Sequence, residues 1–199
     1  MIDVPLFDVE APAAVVAAGP RPPLTVIALD LSLTCTGVAG VGWTDRIRTK
    51  LRGDERLAQL EEEIVSFIRS ADLVAMEGPS FGHSGPRFHE DLAGLRVLVR
   101  RYCHRHQLPY ALIPPSNLKQ YTAGRGNATK GEVRSAIADR YGIHTEGPGR
   151  YDMADAYGAL AAAMDWLGQP LAAVPERNAK ALAGCQWPDR EMVAQGVAA

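Results

Sequence analysis

Apolar and polar positions along this chain follow two periods, and the switches between them mark its elements. Thr25-Val-Ile-Ala-Leu-Asp30 is an apolar run closed by an acid, so residues 24–30 read as a buried strand. A short turn through Ser32 and Thr34 leads to Thr36-Gly-Val-Ala-Gly-Val-Gly-Trp43, a second strand. Arg46-Ile-Arg-Thr-Lys-Leu-Arg52 alternates with period two and predicts a third, half-exposed strand. The period then changes. Leu57, Leu60, Ile64, Phe67 and Ile68 form a helical stripe to about Ser70, with Asp54 as its expected N-cap. Leu73-Val-Ala-Met-Glu77 is a fourth strand, again closed by an acid, and Gly78–Pro86 is a loop punctuated by Gly and Pro. A long helix is expected from Arg87 to about His106, with Leu92, Leu95, Val99 and Tyr102 in register. Tyr110-Ala-Leu-Ile is a strand stopped by Pro114-Pro115.

A short helix over Ser116–Tyr121 and a basic loop, Thr122-Ala-Gly-Arg-Gly-Asn127, follow. Thr129-Lys-Gly-Glu132 matches a capping box that opens a helix to Tyr141. Gly147-Pro-Gly149 breaks the chain before a last apolar helix, about 151–167. The order of the longer elements, β-β-β-α-β-α-β-α-α, predicts an α/β fold: a meander joined to strand–helix units, giving a mixed five-stranded sheet with helices on both faces. The strands ending in Asp30 and Glu77 can then lie adjacent and parallel, with both carboxylates at one sheet edge. The domain organisation read here is a Pro/Ala-rich arm over 1–22, one domain over 23–168, and a loosely attached tail over 169–199 with a short helix near 176–184. There is no internal repeat.

Composition narrows this further. A chain of 199 residues suits one domain with a real core. No apolar run approaches the ~20 residues of a membrane span, and no secretory leader is visible, so a cytoplasmic setting in a bacterium or a phage-infected cell is expected. Cys35, Cys103 and Cys185 are three and widely spaced, which argues against a disulfide framework or zinc site. Net charge is −2. Yet Pro86–Arg140 holds ten Lys and Arg against four acids, a +6 segment in an acidic chain. Solvated helix faces produce such a count; so does an anion-binding surface.

Four acids carry the candidate chemistry: Asp30, Glu77, Asp152 and Asp155. Each sits at the edge of a segment that looks like core, where acids are rare unless paired or bound to metal. Asp152 and Asp155 are three apart and share a helix face. Two acids in a first turn also complement the helix dipole, which accounts for Asp152 more readily than for Asp155. Asp30 alone could cap a turn. Four brought together would repel strongly unless a divalent cation sat among them. Carboxylate oxygens suit Mg²⁺, and two such ions about 3.5–4 Å apart can drive phosphodiester hydrolysis.

The segment Asp30-Leu-Ser-Leu-Thr-Cys-Thr-Gly37, Glu77 with its following loop, and Asp152-Met-Ala-Asp155-Ala resemble the RuvC family of Holliday-junction resolvases, within the RNase H-like superfamily, over about residues 24–167. Leu118-Lys-Gln-Tyr-Thr-Ala-Gly-Arg-Gly-Asn-Ala-Thr-Lys-Gly-Glu-Val133 resembles that family's basic segment. The resemblance implies an endodeoxyribonuclease that resolves four-way junctions by paired nicks and leaves 5′-phosphate ends. Asp30, Glu77, Asp152 and Asp155 would hold two Mg²⁺ ions, with Mn²⁺ able to substitute, and Lys130 would reach the scissile phosphate. Lys119, Arg125 and Lys130 would contact DNA. Phe81 is a candidate for prising bases apart, and equally for anchoring its loop on the core. Two symmetric strands to cut in a four-way junction point to a two-fold homodimer, with helix 87–105, which resembles the family's dimer helix, as the seam through Leu92, Leu95, Val99 and Tyr102, Ala93 and Gly94 allowing close approach, and Arg96 and Arg100 facing the DNA; packing of the same stripe on the sheet is the alternative reading. The Pro-rich arm and the tail depart from bacterial members and point to a phage-type or otherwise divergent branch. Forks, flaps or RNA–DNA hybrids remain alternative substrates. A non-catalytic DNA-binding module, or an actin- or sugar-kinase-like phosphate binder, are the readings of another class; the second needs a second phosphate loop that this chain lacks.

Overall fold

The computed structural model describes residues 24–79 and 86–195. Strands β1 (Val26–Asp30), β2 (Cys35–Gly40) and β3 (Trp43–Arg48) form an antiparallel meander. Helix α1 (Gly53–Ile68) then leads to β4 (Leu73–Glu77), α2 (Pro86–Arg105) to β5 (Tyr110–Ile113), and α3 (Pro115–Ala123), α4 (Lys130–Tyr141) and α5 (Arg150–Trp166) follow. The sheet order is β3-β2-β1-β4-β5, with β1–β4 and β4–β5 parallel. This is the mixed five-stranded sheet with helices on both faces that the hydrophobic pattern predicts.

Local chemistry moves some boundaries. The second turn falls at Val41-Gly42, where Gly42 takes a φ of +82°, so Trp43 opens β3 instead of closing β2. The strand expected over 46–52 therefore runs from 43 to 48. Asp54 does not cap α1; the helix starts at Gly53 behind Arg52, and Asp54 and Glu55 sit in its first turn, where they complement the dipole. The capping box at Thr129 and Glu132 is formed in full.

Strand parity sorts the core into two layers. Val26, Ala28, Ala39, Leu73, Ala75 and Ile113 pack under α3, α4 and α5. Ile27, Leu29, Val38, Ile47, Val74 and Met76 pack under α1 and α2 with Leu60, Ile64, Leu95 and Val99. The same parity puts Asp30 and Glu77 on the α5 side. Helix α5 is buried from Met153 to Met164 and consists largely of alanine there, which lets it lie close to the sheet.

The segment expected to be a loose tail is packed against this layer. Residues 176–184 form α6 (Glu176–Ala179) and a 3-10 turn, and α7 (Arg190–Gln195) follows. Buried Asn178 donates to the Tyr121 carbonyl at 3.0 Å, and Asn117 to that of Ala181 at 2.8 Å. Trp187 stacks on Trp166 at 4.9 Å. Gln186 exchanges two backbone hydrogen bonds with Leu112, covering the β5 edge. The physical reason is the spacing of Trp187 and Val193, too sparse for a periodic signal but enough for docking. The arm over 1–22 lies outside the described residues.

Candidate active site

Parallel pairing of β1 and β4 in the register Leu29↔Met76 brings Asp30 beside Glu77 at the carboxyl ends of both strands. The third partner comes from α5. Gly37 lies opposite Asp30 in the hairpin, and a Cβ there would overlap the backbone carbonyl of Asp152. Glycine at 37 is therefore what lets the first turn of α5 seat on the sheet. Gly149 starts that helix with a φ of +83°, in the left-handed region; a Cβ on it would also overlap the Cys35 sulfur.

The result is a cluster of Asp30, Glu77 and Asp155 with carboxylate oxygens all within 4.8 Å of one another. Asp155 is only 8% exposed. Burial pushes the Asp30 carboxyl well above the usual range, with Glu77, Asp155 and Asp152 adding to it. Burial also raises Glu77, against the pull of Asp30's hydrogen bond and of Lys130, Arg96 and Lys119. Asp155 is pushed up to about 7 by burial and by Glu77, with Lys130 opposing. Without a cation the cluster thus holds protons that ordinary carboxylates would release. A hard divalent ion would relieve that repulsion, and three carboxylates are a fitting donor set for Mg²⁺ or Mn²⁺.

Asp152 takes a separate place. It lies in the first turn of α5 and pairs with Lys130 at 3.7 Å, outside the group of three. Lys130, at the start of α4, is pulled down by burial but raised overall by the four acids around it. Lys119 on α3 is close enough to lower Glu77 and Asp155. Arg125 is exposed and pairs with Glu132, the residue that closes the α4 cap. Arg96, on α2 at the other face of the sheet, lies within electrostatic range of Glu77 and Asp30, with no ion pair to either among the described residues. Arg100, one turn on, is exposed and borders a groove of about 1190 Å³ at the opposite end, with Arg69, Arg105 and Trp187. Phe81 lies outside the described residues.

The stripe expected as a dimer seam is a core face. Leu95 and Val99 are fully buried within the chain, and Leu92 and Tyr102 pack against the same cluster. The outer side of α2 is instead Ala93, Val97 (57% exposed) and Arg100. Gly37 is the residue that sequence reasoning quoted without assigning a role. Its signal was its place opposite Asp30 across a tight hairpin.

No family model matches the chain, and no curated protein matches it. Solved structures do. RuvC of Thermus thermophilus in complex with a Holliday junction substrate aligns with a TM-score of 0.59 at 20% identity, over 77% of this chain and 100% of that one. A second T. thermophilus RuvC structure gives 0.57 at 20% identity, over 76% of this chain and 100% of the other. The fold is an α/β fold of the RNase H-like type, a mixed five-stranded sheet with helices on both faces. Among folds of that type, it is similar to the RuvC fold.

Proposed function

We propose that this protein is a divalent-metal-dependent endonuclease that cuts four-way DNA junctions by paired nicks. The observation that carries the proposal is the convergence of Asp30, Glu77 and Asp155 at one edge of a RuvC-like sheet, flanked by Lys119 and Lys130. Such an arrangement suits hydrolysis of a phosphodiester: a water oxygen joins the phosphorus, the bond to O3′ breaks, and 5′-phosphate and 3′-hydroxyl ends remain. Mg²⁺ or Mn²⁺ held by Asp30, Glu77 and Asp155, with Asp152 at the side for a second ion, would supply charge neutralisation and activation of that water. The carboxylates fix the geometry. In this reading Lys130 stabilises charge developing on the phosphate, and Lys119 and Arg125 hold the backbone. Substrate class rests on the likeness to a protein solved on a Holliday junction.

Two symmetric strands must be cut in such a junction, so the proposal includes a two-fold homodimer. Its seam is taken to be the outer face of α2 near Ala93 and Val97, since the inner face is occupied. No helix among the described residues is long and apolar enough to cross a membrane, in keeping with action on cytoplasmic DNA.

The test is a panel of labelled substrates (four-way junction, fork, flap, duplex and RNA–DNA hybrid) with Mg²⁺ or Mn²⁺, alongside light scattering. The expected outcome is symmetric nicking of the junction, at least about tenfold faster than any other substrate, by a species of about twice 21.4 kDa. Faster cutting of forks, flaps or hybrids would move the assignment to that substrate. No cutting with either metal would remove it.

A further inference from the structure

Arg96 stands apart from the other cations of the site. Lys119 and Lys130 come from helices on the α5 side of the sheet, whereas Arg96 comes from α2 on the opposite side. Its position is rigid, because the residue before it, Leu95, and the one three beyond, Val99, are fully buried in the core. Its guanidinium is close enough to feel Glu77 and Asp30, yet among the described residues it forms no ion pair with either. Its Nε is buried and has no hydrogen-bond partner among the described residues.

A structural counter-charge would behave differently. Arginine meets a carboxylate best through two parallel hydrogen bonds, and a buried N–H without a partner is destabilising. An arginine held beside two acids but bonded to neither has a donor left over for another acceptor. Metal binding makes this more pronounced, because it would engage the carboxylate oxygens. The phosphodiester brought to those carboxylates supplies both the missing acceptor and the negative charge.

We propose that Arg96 is a phosphate-binding catalytic residue that grips the scissile phosphodiester from the α2 side of the sheet, opposite Lys130. The inference rests on the nuclease reading above and names a role within it. It carries a consequence of opposite sign for two measurements. A fixed cation near Asp30 and Glu77 repels a divalent ion, so in the DNA-free protein Arg96 weakens metal binding. It is useful only once phosphate is present.

The experiment compares wild type with Arg96→Gln and Arg96→Lys. Mn²⁺ is titrated into the DNA-free proteins, and turnover is measured at saturating junction and saturating Mn²⁺. For Arg96→Gln the expected results are Mn²⁺ binding tightened about threefold and turnover lowered about 100-fold. Arg96→Lys, which keeps the charge but loses the fork, should retain wild-type Mn²⁺ affinity and lose about tenfold in turnover. A merely structural arginine would give loss of Mn²⁺ affinity together with loss of turnover, and that result overturns the proposal; so does wild-type turnover in Arg96→Gln. Should Arg96→Gln melt well below wild type, the Arg96→Lys pair of measurements decides by itself. If wild type cuts no branched DNA, the nuclease reading fails and this role fails with it; if wild type cuts and both variants cut equally well, only the role of Arg96 falls.

Discussion

The two faces of the sheet are built to different rules. Under α1 and α2, large aliphatic side chains meet large aliphatic side chains: Ile27, Leu29, Val74 and Met76 against Leu60, Ile64, Leu95 and Val99, all buried. Under α5, small residues meet small residues: Ala28, Gly37, Ala39 and Ala75 lie beneath a helix rich in alanine. The first face fills volume and stabilises the fold in the ordinary way. The second gives up side-chain volume for close approach, and close approach forces together the acids carried by both partners. Charges can be concentrated there because the other face supplies the stability.

Substitutions should separate the two faces cleanly. Asp30→Asn or Asp155→Asn should reduce junction cleavage by more than about 1000-fold while the protein stays folded and still binds junction in a gel-shift assay. Leu60→Ala or Ile64→Ala should do the reverse, costing about 2–5 kcal/mol in urea unfolding with near-normal turnover per folded molecule. Wild-type cleavage by Asp30→Asn would break the comparison at its root.

Gly37→Ala tests the close approach itself. The added methyl would overlap the Asp152 carbonyl, and backbone cannot rotate away as a side chain does. Expected outcomes are a loss of about 1–3 kcal/mol in stability and about 100-fold in turnover, since an active site tolerates roughly 1 Å of misplacement poorly. Gly42→Ala, in open space at a turn but at a φ of +82°, serves as the control for turnover: it should cost about 1 kcal/mol in stability and leave turnover unchanged.

A smaller effect is expected from pH. Asp155 is held at about 7 against an ordinary 3.8, so between those values the folded state binds more protons than the unfolded chain. The contribution of Asp155 therefore makes metal-free stability fall as pH rises from about 4 to about 7. A metal-free melt at pH 8 should lie several degrees below one at pH 5. Mg²⁺ should recover the difference at pH 8 and do little at pH 5, and Asp155→Asn should melt higher than wild type at pH 8 without metal. Equal metal-free melts for wild type and Asp155→Asn would mean that the acids do not strain the fold.

The smallest effects belong to the cations on the α5 side. Lys119→Ala should lower the slope of log affinity against log salt by about 0.9, one phosphate contact. Lys130→Ala should lower turnover more than binding, because Lys130 pairs with Asp152 and sits among all four acids. An unchanged rate for Lys130→Ala at saturating DNA would remove it from the site.

Sequence alone determined the element order, because each strand and helix has its own apolar period and most ends are marked by Gly, Pro or a capping residue. It also singled out four acids: Asp30 and Glu77 close apolar strands, and Asp152 and Asp155 lie on an apolar helix, so each had to be accounted for before any contact was known. Tertiary structure alone decided how those acids are grouped. Asp155 joins Asp30 and Glu77, while Asp152 turns to Lys130, because a three-residue step on a helix fixes a face but not which member of the pair lies deeper. It decided that Arg96 comes within electrostatic range of Glu77 and Asp30 while Arg100 borders the groove at the far end of the sheet, since the direction of α2 across the sheet is set by packing. It also decided that Leu95 and Val99 face the core and that residues 176–193 are docked. An apolar stripe specifies burial but not the partner, and a tail held by a few tryptophan and asparagine contacts has no period to read.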